Sequence, residues 1–408
     1  MSLNTTPSGE RVHVGIFGRR NAGKSSLINA LTGQNIAIVS EIKGTTTDPV
    51  YKAMELLPLG PVMLIDTPGI DDEGALGQQR IAKAFQVLNK CHIALLVLDA
   101  TQGISKEDLN LWQLITAKEL PSILVINKIE LLSEKEKSTL VAQISKITTH
   151  YFCVSTVKEI NIHELKEAIA ALKPTETKRQ LVGDLLNPND LIVLVTPIDS
   201  AAPKGRLILP QQQVLRDILD HNAMAVVVQE TQLAEALKVL IKKPRLVITD
   251  SQAFAKVNKI VPQNILLTSF SILMARYKGS LYNAVKAVRT LDHIVDKDKI
   301  LISEGCTHHR QCQDIGTVKL PNWIRTYTKS QPEFFYTSGT EFPTNLSPYK
   351  VIIHCGACML NEKEVIHRNK CAIAQNVPMT NYGIAIAYMH GILQRTLAPL
   401  PQVAQLLN

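Results

Sequence analysis

Val12-His13-Val14-Gly15-Ile16-Phe17 runs directly into Gly18-Arg19-Arg20-Asn21-Ala22-Gly23-Lys24-Ser25 and then into Ser26-Leu27-Ile28-Asn29-Ala30-Leu31. The first run is apolar and reads as a short buried strand; the last has helical spacing. Between them stands G-x-x-x-x-G-K-[ST], in the strand–loop–helix setting that this phosphate-binding pattern requires. Gly18 and Gly23 let backbone amides close around phosphates, Lys24 offers a point charge to the β and γ oxygens, and Ser25 offers a hydroxyl to Mg²⁺. Asn21, Ala22 and Ser26 complete the expected nucleotide loop.

Further motifs follow in order. Gly44-Thr45-Thr46-Thr47-Asp48 has the makings of a first switch, with Thr45 and Thr46 near nucleotide and a threonine completing the Mg²⁺ shell when a γ-phosphate is present. The strand-like Val62–Ile65 delivers Asp66-Thr67-Pro68-Gly69: Asp66 acts on Mg²⁺ through water, and the Gly69 amide senses the γ-phosphate. Lys24, Asp66 and Thr46 are the expected catalytic set. Ile123–Ile126 delivers Asn127-Lys128-Ile129-Glu130, an N-K-x-acid in which the carboxylate accepts two hydrogen bonds from guanine, each contributing about 1.5–3 kcal/mol when charge-assisted. The acid is Glu130, one methylene longer than the usual aspartate, which bears on affinity and stringency. Ser155 and Thr156, after Tyr151–Val154, close the base site. Ile70 stands where Ras-like enzymes carry a glutamine that orients water, so slow hydrolysis is expected; unassisted small GTPases turn over at about 10⁻⁴ s⁻¹.

This set resembles the translation-factor class of GTPases and, within it, the TrmE-like potassium-activated branch. In that branch the position of Asn21 contacts the monovalent cation, so the resemblance implies K⁺ stimulation.

The chain changes character after Lys173-Pro174-Thr175-Glu176-Thr177-Lys178-Arg179-Gln180, a polar linker. From Asn187 onward strands and helices alternate: Leu191–Val195, Gln213–Leu219, Ala225–Val228, Gln232–Ile241 and Leu246–Thr249 read as a second, small parallel α/β unit. Asp199, Lys204 and Arg206 in its Pro197–Pro210 loop read as a solvated surface.

The last third carries the thiols. Lys299–Ile302 and Val351–Ile353 read as strands, the first ending in Ser303-Glu304-Gly305-Cys306-Thr307-His308-His309-Arg310-Gln311-Cys312 and the second in His354-Cys355-Gly356-Ala357-Cys358. If the two strands are parallel, Cys306, Cys355 and Cys358 meet at one sheet edge, where open α/β sheets place ligands. Gly356 permits the turn, and a helix over Met359–His367 puts Cys358 at its N-terminus, where a thiolate is favoured. Cys312, His308 and His354 are candidates for a fourth position. Structural zinc closes its shell with four fixed ligands; three cysteines with an open fourth position suit an iron–sulfur cluster better. Trp323 and Phe334-Phe335-Tyr336 read as core, and Gly339–Pro343 as a third loop on the same edge.

Length and composition bound the rest. The 408 residues hold two or three domains, and seven cysteines, an odd number, argue for free thiols and metal ligands. A formal charge of +8 with no Lys/Arg block among aromatics argues against nucleic acid. The polar Met1–Gly9 and the lack of a spanning run argue against a membrane and for the cytoplasm.

A GTPase domain, a small α/β unit, and Cys306-x-His308 followed by His354-Cys355-x-x-Cys358 together resemble HydF, the family of [FeFe]-hydrogenase maturation GTPases, over essentially the whole chain. The resemblance implies a scaffold and carrier that binds GTP, Mg²⁺, K⁺ and a [4Fe–4S] cluster. It implies transient carriage of a dinuclear iron precursor made with radical-SAM maturases, delivery to apo-[FeFe]-hydrogenase, and a homodimer formed through the middle domain. Cys306, Cys355 and Cys358 match the family's ligand cysteines. The expected architecture is α/β throughout: a P-loop GTPase fold over 1–173, a small dimerisation or interaction unit over 174–262, and a cluster-binding unit over 263–408, the last two on parallel sheets. The alternative is a GTPase of tRNA modification or ribosome assembly with a zinc-stabilised C-terminal domain.

Overall fold

The computed structural model describes residues 6–33, 49–70, 74–172, 181–198, 207–305 and 314–407. The chain forms two compact units, Met1–Thr177 and Lys178–Asn408.

In the first unit the apolar runs become β1 (Val12–Phe17), β2 (Val50–Leu56), β3 (Gly60–Asp66), β4 (Ile93–Asp99), β5 (Ser122–Asn127) and β6 (Tyr151–Cys153). They form one sheet in the order β2-β3-β1-β4-β5-β6, antiparallel only between β2 and β3. Every residue of β4 is buried. Its Leu95 and Val97 face one core with Leu27 and Ile169, while Leu96 and Leu98 face the other with Ile115 and Ile144. A strand covered on both faces is largely apolar, which is why β1 and β4 are near-continuous hydrophobic runs, interrupted by His13 and Asp99.

The second unit holds two parallel sheets. β7 (Leu191–Val195), β8 (Met224–Val228), β9 (Leu246–Thr249) and β10 (Leu266–Ser269) take the order β10-β9-β7-β8; β11 (Lys299–Ser303), β12 (Glu333–Thr337), β13 (Val351–His354) and β14 (Met379–Asn381) take the order β12-β11-β13-β14. This is the α/β architecture expected, a P-loop GTPase fold followed by two parallel-sheet units. The two sheets share packing: Phe254 and Ile272 join the core of Ile300, Ile302, Val351 and Ile353, while Cys358 packs against the core that holds Ile192, Leu194, Phe270 and Met274.

β11 lies between β12 and β13, and the chain crosses back over it to reach β13. The carboxyl ends of β11 and β13 therefore flank a topological switch point, the place where such sheets bind ligands. The register Ser303↔His354 puts Gly305 and Cys355 side by side there.

Three local expectations need correcting. The helix expected from Met359 begins at Glu362 and runs to Ala374, because the Asn361 side chain accepts from the Glu364 amide at 2.9 Å and caps it. Cys358 thus stands in the turn before the helix. The left-handed residue of that turn is Ala357 (φ 54), not Gly356. Phe335 and Tyr336, expected in the core, are each 38% exposed, since β12 is an edge strand; Phe334 and Trp323 do pack on the core.

Candidate functional site

The carboxyl edge of the first sheet gathers the nucleotide motifs. Gly18 has φ +144, and a Cβ there would lie 2.3 Å from the Val97 carbonyl oxygen; Gly23 has φ +91, and a Cβ there would lie 2.1 Å from Asn127 Nδ2. Both positions demand glycine. The helix Lys24–Thr32 begins immediately after Gly23, leaving its first amides at the loop. Lys24 is buried, and its ammonium donates to the carbonyls of Gly18 (3.0 Å) and Arg19 (2.7 Å).

Ser25 Oγ donates to Asp66 Oδ2 at 2.5 Å, so the two residues expected around Mg²⁺ are in contact. Asp66 Oδ1 is buried with no hydrogen-bond partner. Burial pushes the Asp66 carboxyl above its ordinary range, against the pull of Ser25 and Lys24. A buried carboxylate oxygen beside a serine hydroxyl fits a hard divalent cation.

The base-recognition motifs are tied to the phosphate loop. Asn127 is buried; its Nδ2 donates to the Ala22 carbonyl (3.2 Å), and its Oδ1 accepts from the Thr156 amide (3.2 Å). Lys128 (φ 66) pairs with Asp99 at 2.6 Å. Burial raises the Asp99 carboxyl, but Lys128 and Thr101 outweigh it and hold the group below its usual range. Glu130 Oε2 is buried and without a partner, an acceptor of the kind guanine's N–H donors would satisfy. Ser155 is fully buried, Asn21 is exposed with φ 59, and Ile70 packs partly buried on the core. Ser26 lies in the helix, and Gly69 follows β3. Thr45 and Thr46 lie outside the described residues.

In the second unit, the Cys355 amide donates to the Ser303 carbonyl at 2.9 Å. Cys355 Sγ accepts from the Gly305 amide (3.0 Å) and the Ala357 amide (3.3 Å). Ala357, which donates the second of these bonds, takes the left-handed conformation, at a cost of about 1–2 kcal/mol for a residue with a Cβ. Burial pushes the Cys355 thiol up to about 11, the two amides working against it. The Cys358 thiol is also raised by burial and lowered by Lys278; no helix N-terminus assists it. Two amides aimed at one sulfur suit a metal-bound thiolate. Cys306, His308 and Cys312 lie outside the described residues, and among the described residues no three His, Cys, Asp or Glu side chains converge on a metal-sized point.

His354 departs from its expected role. It is 3% exposed, its Nε2 lies 3.0 Å from Arg368 Nη1, and its Nδ1 lies 3.0 Å from the Cys355 carbonyl oxygen. Arginine only donates, so Nε2 accepts and Nδ1 carries the proton. Both ring nitrogens are engaged within the protein, and the one in-plane lone pair, on Nε2, is taken by Arg368. Burial, followed by the Arg368 charge, pushes the imidazole down to about 3.

Arg368 escaped the sequence reading. It is completely buried, bonded to Glu364 (2.9 Å), Ser303 Oγ (3.3 Å) and the Gly339 carbonyl (2.9 Å), with its guanidinium 5.0 Å from the Phe342 ring centre. The loop at Gly339 thus does line the same edge. The i,i+4 spacing of Glu364 and Arg368 was the available signal, but such spacing usually marks a solvated helix face.

Comparison with known proteins divides along the chain. Profiles match the hydrogen maturase F dimerization domain over 181–279, the hydrogen maturase F tetramerization domain over 282–399, and a 50S ribosome-binding GTPase domain over 13–128. A tRNA modification GTPase MnmE of Thermoanaerobacter sp. (strain X514) is 38% identical over 164 residues, 39% of this chain and 34% of that protein. A GTPase Der of Kosmotoga olearia is 35% identical over 142 residues, 34% of this chain and 32% of that protein. The chain thus spans about a third of the length of these curated relatives. A solved structure of Aquifex aeolicus Era is 23% identical with a TM-score of 0.37, covering 56% of this chain and 97% of that one. The N-terminal unit is a GTPase domain equipped for GTP and Mg²⁺, and the second unit carries oligomerization domains.

Gly23→Ala is expected to weaken GTP binding about tenfold or more, since left-handed strain and a clash with Asn127 together exceed 1.4 kcal/mol; isothermal titration measures it. Burial holds the folded His354 imidazole well below its ordinary value of 6.5. Its contribution is therefore complete above pH 6.5 and is lost as pH falls toward about 3. Denaturant unfolding at a series of pH values should show His354→Asn losing less stability than wild type across that window, by about 1.4 kcal/mol per pH unit.

Proposed function

This chain belongs to the hydrogen maturase F family, and on that premise we propose that it is a GTP-hydrolysing scaffold that binds a [4Fe–4S] cluster and carries the dinuclear iron precursor of the [FeFe]-hydrogenase active site. The observation that carries this reading is the placing of Cys355 and Cys358 at the switch point of an all-parallel sheet, with two backbone amides on Cys355 Sγ. Cys306, Cys355 and Cys358 would hold the cluster, whose bound form supplies an anionic, oxygen-sensitive metal centre with an exchangeable position. With His354 engaged by Arg368, the fourth ligand is sought in Cys312, His308 or an external donor.

The functional parts are then a GTP-binding domain over 1–173, an interaction domain from 174 through β10, the edge strand of its sheet, and a cluster domain on the sheet β12-β11-β13-β14. In the first, Lys24 neutralises phosphate charge, Ser25 and Asp66 hold Mg²⁺, Thr46 completes its shell, and Glu130 accepts from guanine. Asn21, exposed beside the loop, contacts K⁺. Ile70 supplies no water-orienting group, so turnover is slow and suits a switch. Partners are apo-hydrogenase, the radical-SAM maturases and further copies of this chain, in the cytoplasm; among the described residues no helix is long and apolar enough to cross a membrane. The likeness to the tRNA modification GTPase covers 39% of this chain, and no feature of the second unit favours that role.

The switch acts through the nucleotide state of the first domain, which biases partner binding. Two outcomes follow. GTP hydrolysis should run faster in K⁺ than in Na⁺, and Asn21→Ala should erase the difference without lowering the Na⁺ rate. Affinity for apo-hydrogenase, measured by surface-based binding kinetics, should differ between the GDP form and a non-hydrolysable GTP-analogue form; equal affinities contradict the switch.

A further inference from the structure

Lys278 is one of the largest fully enclosed side chains in the protein, at 2% exposure. It follows the helix Phe270–Tyr277 as its C-cap, its amide bonding back to the Met274 carbonyl at 2.9 Å. Cys358 packs against the hydrophobic core to which that helix contributes Phe270, Leu273 and Met274. Lys278 also lines one small cavity together with Cys355, Gly356 and Ala357. Its ammonium lies 5.2 Å from the Tyr277 ring centre.

Among the described residues few charges adjoin this turn. Arg368 is neutralised by Glu364, while Glu304, buried at the end of β11 and bonded by the Tyr382 hydroxyl at 3.2 Å, adds negative charge beside Cys355. A helix C-terminus is a poor place for negative charge, and Lys278 stands at that end with its side chain enclosed beside the cysteine turn.

We propose that Lys278 is the counter-charge of the cysteine turn: a positioning residue, not a ligand, that stabilises the negative charge of a thiolate-ligated cluster and sets its reduction potential. The inference rests on the iron–sulfur reading of the site. Each ligating thiolate brings a negative charge, and reduction adds one more. A nearby buried cation favours the reduced state most, by about tenfold in equilibrium constant for a unit charge about 10 Å away at an effective dielectric of about 20.

The test is an EPR-monitored redox titration of the full chain after anaerobic reconstitution with iron and sulfide, in wild type, Lys278→Met, Lys278→Gln and Lys278→Arg. Iron and sulfide content and circular dichroism are read alongside. Lys278→Met and Lys278→Gln should hold a cluster that is about tenfold harder to reduce, about 59 mV lower for a one-electron couple, with Lys278→Arg close to wild type. Loss of the cluster in the neutral variants but not in Lys278→Arg also supports the counter-charge. Unchanged potentials in the neutral variants, or equal shifts or equal cluster loss in all three, overturn it while leaving the cluster reading intact. If wild type takes up no cluster, the cluster reading fails and the counter-charge falls with it.

Discussion

The cysteine edge of the second unit depends on one buried guanidinium. Arg368 reaches from the helix Glu362–Ala374 to the ends of two neighbouring strands, through Ser303 and His354, and to the loop after a third, through Gly339. Glu364 on its own helix supplies the compensating charge. Breaking a buried ion pair of this kind costs about 3–5 kcal/mol because it strands a charge away from water. The geometry also has a chemical consequence. By occupying His354 Nε2, Arg368 sends the imidazole proton to the Cys355 carbonyl, and the histidine becomes a strut behind the cysteine turn.

The turn in front of that strut is arranged around sulfur. β11 and β13 run in parallel, so their carboxyl ends open together and Gly305 can donate its amide to Cys355 Sγ. Ala357, in the left-handed conformation, donates the second amide. The first unit follows the same rule with different chemistry. Its strands also end on one edge, where Gly23 must lack a side chain for Asn127 to reach the phosphate loop. Asp66 and Glu130 each keep a buried carboxylate oxygen without a hydrogen-bond partner, acceptors of the kind that Mg²⁺ and guanine would satisfy.

Much of this was legible in the sequence, for physical reasons. β1, β4, β7 and β13 are buried along their whole length and so are near-continuous apolar runs. The phosphate loop is legible because backbone approach leaves no choice but glycine. The rest depends on neighbours that no local pattern displays. The start of the helix near Cys358 was misplaced because Met359 and Leu360 continue the helical period, whereas the cap belongs to Asn361. Phe335 and Tyr336 look like core until β12 is known to be an edge. His354 looked like a ligand because the residue that engages it is 14 positions away on another element. Arg368 and Lys278 carry no local signal of burial, because charged residues are usually solvated.

The central claim is that this GTPase carries an iron–sulfur centre on the cysteine edge. The most direct measurement is anaerobic reconstitution with iron and sulfide, read by visible absorption and EPR, on wild type and on Cys306→Ala, Cys355→Ala and Cys358→Ala. A reducible four-iron signal in wild type that each substitution abolishes is the predicted result. A colourless protein holding one tightly bound zinc would contradict the claim.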